Sequence, residues 1–214
     1  MALIFTQEDT NGTCALGQYC STDASTPESR KQCEVGGTAG STPVTVTLVK
    51  NAMTNNKIQF ECIVGTGKNW GAGNWTIRLN ITTANSNITW TGTFICRINS
   101  SCVSQETIGS LTGQTTSLGT TGVKTHTVSG SAVTPGAGDK VMVILRFTNS
   151  DNMNSQAFGY TPNQNIDAPF AVLNSVTVQD AVSVSSGGDL GVFRQQLAPC
   201  LPPLNSSYGG PYEV

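Results

Sequence analysis

Charge is scarce in this chain. Of its 214 residues only 11% are charged, and the net charge is -2. Lys and Arg are scattered rather than clustered, so no electrostatic footprint for nucleic acid is present. No stretch approaches the length of a membrane-spanning helix, and no membrane partner is expected. Apolar residues nowhere recur with a helical period over a sustained window, so amphipathic helices are not expected either.

Catalytic signatures are equally sparse. There is one histidine, His126, in a Thr/Ser-rich segment. A serine hydrolase would need it set beside a reactive Ser and an Asp, and no GxSxG elbow occurs. Glycosidase chemistry needs two carboxylates facing each other across a cleft. Glu61 and Glu106 are the glutamates of the strand-rich region, and the alternation around Glu61 predicts that it faces solvent. Asp139, Asp151, Asp167, Asp180 and Asp189 fall near turns or strand ends, where Asp serves the local backbone, and no calcium-loop spacing is present. The glycine-rich stretch Gly65–Gly73 lacks both the following helix and the Lys-Ser/Thr of a phosphate loop. The chain is therefore expected to be non-enzymatic and to need no cofactor.

Seven cysteines are present: Cys14, Cys20, Cys33, Cys62, Cys96, Cys102 and Cys200. No pair forms CxxC, and Cys14, Cys20 and Cys33 with His126 match no zinc-site spacing, so no metal is expected. An odd count at irregular spacing argues against a complete disulfide framework. Cys62 and Cys96 sit in apolar strand patterns and are expected as small buried hydrophobes. A local Cys14–Cys20 bridge stays open. The start, MALIFTQEDTNG, has neither a basic region nor a long apolar run, so it does not read as a signal peptide. Synthesis and assembly in a cytoplasm are expected, and the sequons at Asn74, Asn80, Asn87 and Asn99 then read as products of an Asn/Thr-rich composition.

What the sequence has is alternation. In GAGNWTIRLNITTANSNITWTGTFIC, Trp75, Ile77, Leu79 and Ile81 point one way on an extended chain, and Thr76, Arg78, Asn80 and Thr82 the other. That period of two marks a half-buried strand. Ala84–Asn87 is a polar turn, and Ile88, Trp90 and Phe94–Cys96 read as the returning strand of a hairpin. PVTVTLVK (43–50) and KIQFECIV (57–64) alternate too. KVMVILRFTN (140–149) aligns Val141, Val143, Leu145 and Phe147, with Met142 and Ile144 opposite. Being apolar on both faces, it belongs at the centre of a sheet. Strands are thus predicted at 43–49, 57–64, 74–83, 87–98 and 140–149, with weaker ones at 123–133 and 171–185. The predicted core includes Trp75, Ile77, Leu79, Trp90, Val143, Leu145 and Phe147.

The expected fold is all-β: an antiparallel β-sandwich of jelly-roll type over residues 42–185. An immunoglobulin-like sandwich is the alternative, although Cys62, Trp75 and Cys96 fit no such spacing. Residues 1–41 lack either period and read as an extended N-terminal arm. Residues 186–214, ending PCLPPLNSSYGGPYEV, read as a Pro/Gly-rich C-terminal arm. Asp151–Asp167 reads as a polar loop.

The segments WTIRLNITTANSNITW, ICRINSSCVSQETIGS, GDKVMVILRFTNS and NQNIDAPF, within about Trp75–Phe170, resemble β-sandwich structural proteins of tailed bacteriophages. The resemblance covers just under half the chain, and its motifs describe a sandwich without carrying a reaction. It implies a virion protein on the capsid surface, of the decoration (cement) type, forming a homotrimer and binding the major capsid protein. Head-fibre, tail or receptor-binding proteins are the alternative. A carbohydrate-binding module would present Trp70, Trp75, Trp90 or Tyr160 as a stacking platform, with Trp70 and Tyr160 the candidate exposed aromatics.

Overall fold

The computed structural model describes residues 3–14, 28–50, 56–63, 68–70, 72–169 and 171–173; for Leu3, 68–70 and 171–173 it describes the strands but not the side chains. Among them lie fourteen strands and no helix. In chain order the first seven are β1 (Leu3–Gln7), β2 (Ser29–Val35), β3 (Val44–Leu48), β4 (Lys57–Ile63), β5 (Lys68–Trp70), β6 (Gly73–Thr83) and β7 (Ile88–Ile98). The rest are β8 (Ser104–Leu111), β9 (Thr116–Ser117), β10 (Gly122–Gly130), β11 (Lys140–Asn149), β12 (Gln156–Thr161), β13 (Asn165–Ala168) and β14 (Ala171–Leu173). The five confidently alternating segments all form strands within a residue or two of the expected bounds. Met1–Asn174 is one compact unit. The C-terminal arm expected at 186–214, and the strand expected beyond Leu173, lie outside the described residues.

Twelve strands form one sheet in the order β3-β12-β6-β13-β1-β2-β4-β11-β7-β8, with β10 on β6 and β9 on β7; β5 and β14 pair separately. Every pairing is antiparallel except β2 with β4. The sheet doubles back on itself. Phe60 of β4 and Tyr160 of β12 stand five strand steps apart in that order, which would be about 24 Å in a flat sheet. Their ring centroids are 6.2 Å apart. Ser29 Oγ of β2 likewise lies 2.7 Å from Tyr160 Oη, and Trp90 of β7 stacks on His126 of β10.

The enclosed space is filled by the inward residues of both halves. Trp75, Ile77, Leu79, Trp90, Val143, Leu145 and Phe147 are all fully buried, with Phe5, Ile58, Phe60 and Phe158 beside them. Gly130 lets β10 approach this core closely: a Cβ there would stand 2.8 Å from the Trp75 indole nitrogen. β11 lies between β4 and β7, as its two apolar faces require. Met142 and Ile144, on its other face, join Cys14, Cys96 and Ile98 in a second, smaller core.

Three expectations need correction. First, the stretch expected to be an N-terminal arm is part of the sheet. β1 pairs with β13 on one side and β2 on the other, and Phe5 stacks on Trp75 at 6.3 Å. Apolar burial by partners distant in sequence overrides the weak local pattern of SRKQCEV. Second, the supposed loop 151–167 contains β12 and β13, and the alternation of Phe158 and Tyr160 carries them into the core. Third, the phase of β7 breaks. A register shift opposite Arg146/Phe147 leaves Thr91 as an extra residue. Ile88 and Trp90 point inward before it and Thr93 and Ile95 after it, the expected effect of a bulge.

Because Phe5 is enclosed against Trp75, Phe5→Ala and Trp75→Ala should each destabilise the protein by about 3–5 kcal/mol. Urea denaturation followed by circular dichroism measures this. An unchanged midpoint for Phe5→Ala would contradict the central placement of β1.

Candidate functional site

His126 lies on β10 with its ring face on Trp90, ring centroids 3.5 Å apart. Its Nδ1 is 2.9 Å from Thr93 Oγ1 and its Nε2 is 3.0 Å from Thr116 Oγ1. Both ring nitrogens are thus engaged by hydroxyls, and no carboxylate orients the ring. Burial pushes its pKa down to about 4. The ring is a neutral core member bridging β7, β9 and β10.

Glu61 does not face solvent. It is fully buried because residues 12–14 cross over the outer side of β4. Its carboxylate accepts from Lys140 Nζ at 2.5 Å, Thr13 Oγ1 at 2.7 Å and the Cys14 amide at 2.9 Å. Burial would raise its pKa, but these hydrogen bonds outweigh that and hold the carboxyl below the ordinary range. A second ionic group joins Arg97 to Asp139 at 2.6 Å and to Glu106 at 3.5 Å. Asp139 also accepts from the Gly136 amide, which ties the turn before β11 to β7. Glu61 and Glu106 do not face each other across a cleft: each is paired with a different cation. Among the described residues no group of three or more His, Cys, Asp or Glu side chains is placed to hold a metal ion.

The cysteines depart most from expectation. All five described cysteines are disulfide-bonded. Cys33–Cys62 ties β2 to β4 inside the main core, and Cys14–Cys102 ties the N-terminal segment to the β7–β8 turn across 88 residues of sequence. Cys62 and Cys96 are buried, as their strand patterns predict, but not as free thiols. Cys14 pairs with Cys102, not with Cys20. No spacing rule could have found pairs set by tertiary topology.

Of the candidate stacking aromatics, Tyr160 is enclosed. It is fully buried, its hydroxyl meets Ser29, and burial raises its pKa to about 12. Trp75 and Trp90 are core residues. Trp70 lies on β5, and its side chain lies outside those described.

What remains outward on the broad β6–β10 ladder is neutral apart from one ion pair. On β10 the exposed residues are Val123, Thr125, Thr127 and Ser129; opposite them on β6 stand Asn80, Arg78, Thr76 and Asn74. Arg78, the cation in this set, is neutralised by Asp167 at 2.8 Å. Asn80 donates to Thr161 and Asn163. The result is a pleated face of hydroxyls, amides and one methyl-rich side chain, with little to desolvate beyond neutral groups.

No family model matches the sequence, and no curated protein matches it. Solved structures are similar in fold. One of a CocE/NonD family hydrolase from Staphylococcus aureus aligns with TM-score 0.50 at 9% identity, over 80% of this chain and 37% of that one. Another of a CocE/NonD family hydrolase from the same organism gives 0.47 at 10% identity, over 77% and 36%. An insecticidal delta-endotoxin from Bacillus thuringiensis gives 0.28 at 12% identity, over 60% and 19%. The chain spans little more than a third of the hydrolase chains. At such identity the likeness concerns the fold alone.

The depressed pKa of His126 has a signed consequence. The unfolded chain takes up this proton near pH 6.5, whereas the folded chain resists until about pH 4. Stability should therefore fall as pH drops through that window, by up to about 3 kcal/mol. Melting temperatures measured from pH 7 to pH 4 check this, and His126→Gln should flatten the decline.

Proposed function

We propose that the chain is a non-enzymatic structural protein of a viral particle, a decoration protein that binds the major capsid shell as a homotrimer. Its fold would be a β-sandwich of jelly-roll type. The observation that carries this reading is the largely neutral outer face of β6 and β10. Thr125, Thr127, Ser129 and Val123 offer a surface whose burial against another subunit desolvates neutral groups and a single charge pair, Arg78–Asp167. Subunit contacts of that kind suit a chain with 11% charged residues. The disulfides support exposure on a particle, because such bonds persist on virion surfaces and not in a reducing cytoplasm. The bonds would close once the particle leaves the cell.

β1 and β2 are each paired on both sides within their own sheet, so neither is free to extend a neighbour's sheet. Affinity comes instead from the pleated face, multiplied by the number of linked subunits. Because the contact is not ionic, raising salt should weaken it only slightly.

The Thr127→Glu/Ser129→Glu variant, whose positions lie opposite the neutral Thr76 and Asn74, should place two unpaired charges in the interface, lower the oligomer mass by light scattering and reduce occupancy on purified particles. Thr45→Glu/Thr47→Glu, on the exposed side of β3, should do neither. A wild-type protein that stays monomeric and never associates with particles would eliminate the reading.

A further inference from the structure

We infer that the Cys14–Cys102 disulfide is a redox latch that holds Gly12–Cys14 over the outer side of β4 and β11, and that it opens before the core disulfide does. Three residues form the cover. Gly12 passes so close to Glu61 that a Cβ on it would stand 2.9 Å from the carboxylate. Thr13 and the Cys14 amide hydrogen-bond that carboxylate, and the Cys14 carbonyl accepts from Arg30 and Gln59. Beneath lie Ile98, Met142 and Ile144, all buried, with the fully buried Cys14 packed against them. The covalent tie then runs to Cys102.

The two described bridges differ in what reaches them. Cys33 and Cys62 are fully enclosed in the main core. Cys102 is only partly buried, on a turn at the molecular surface between β7 and β8. That turn presents Cys102 at a left-handed φ of 64°, held by Asn99 Oδ1, which accepts from the Ser101 and Val103 amides. An external thiolate can therefore attack Cys102 Sγ. The S–S bond breaks, Cys14 leaves as a thiolate, and Cys102 is left in a mixed disulfide. A second thiolate attacks the external sulfur, releases Cys102 as a thiolate and departs as a small-molecule disulfide. Two thiols supply the two electrons. The reverse sequence, driven by a small-molecule disulfide, closes the latch.

Opening removes the tie but not the ladder before it. The Glu8 amide still donates to Gln32, and the Gln32 amide to Thr10; the next bond, from the Gly12 amide to Arg30, is long at 3.5 Å and breaks with the cover. Gly12–Cys14 is released, which withdraws the cover over Ile98 and Ile144 and leaves Glu61 with Lys140. The latch is independent of the particle-surface reading.

Two measurements test it. In the first, the full chain is treated with graded concentrations of a small thiol, alkylated and mapped by mass spectrometry. Cys14 and Cys102 should be labelled at concentrations that leave Cys33 and Cys62 bonded; simultaneous labelling, or Cys33 and Cys62 first, would overturn the order. In the second, hydrogen exchange is compared between the oxidised wild type and Cys14→Ser/Cys102→Ser. Protection at Gly12–Cys14 should fall by about tenfold or more, with Glu8, Gln32 and β11 unchanged. Unchanged protection at Gly12–Cys14 would mean that hydrogen bonds alone hold the cover. Loss spread equally over β4, β7 and β11 would mean that the bond holds the whole fold. Either result overturns the latch.

Discussion

The structure depends on where its first strand goes. β1 is the link between two groups of strands: β3, β12, β6, β10 and β13 on one side, and β2, β4, β11, β7 and β8 on the other. Without it the hydrogen-bonded path from β6 to β4 is cut. β13 meets β6 over only two residue pairs, Ile166 with Ile77 and Asp167 with Thr76, so it cannot bridge the halves alone. β1 supplies four register pairs to β13 and three to β2. Its Phe5 stacks on Trp75, so the backbone link and the core contact are made by the same five residues. Pairing and burial reinforce one another here, which is the consistency expected of a sequence that specifies one fold.

A sheet that doubles back has an inner side and an outer side, and this chain treats them differently. Inside, a few polar groups are set among apolar ones, as with His126 between two threonines over Trp90. Outside, β6 and β10 present neutral groups, while β4 and β11 are roofed by the segment that carries Cys14. The few charges follow the same logic. Glu61, Asp139 and Asp167 each sit against a cation. A chain with so little charge uses it to fix loops to strands: Glu61 anchors residues 13 and 14, and Asp139 anchors the turn before β11.

The legible part of the fold was the part whose signal is local. β4, β6 and β11 alternate without interruption, and a strand needs only its own residues to show that period. β7 was legible in extent but not in facing, because one extra residue at Thr91 reverses the parity of everything after it. β1 and β2 gave no such signal. SRKQCEV looks polar, and its burial arises from β4 and β1 on either side. Glu61 was misjudged for a related reason: alternation tells which residues lie opposite the core, not whether something else covers them. The cover comes from Thr13 and Cys14, far off in sequence. Tyr160 failed as an exposed platform because its strand lies over β4, a relation set by the doubling of the sheet. The disulfide partners were illegible on the same ground.

The central place of β1 also fixes an order of events. Leu3 lies opposite Ala168, and Phe5 opposite Ile166. β1, made before the other described strands, therefore has no antiparallel partner on the β6 side until nearly the whole described chain has been made. Its other neighbour, β2, runs parallel to β4, so even that half requires the chain to travel out through β3 and back. Contacts this distant in sequence make folding slow and keep strand edges open while it proceeds. During synthesis the edge of β2 waits beside a free Phe5, and the gap between the halves closes only when β13 emerges. Of the described strands β1 is made first and is among the last to be locked in place.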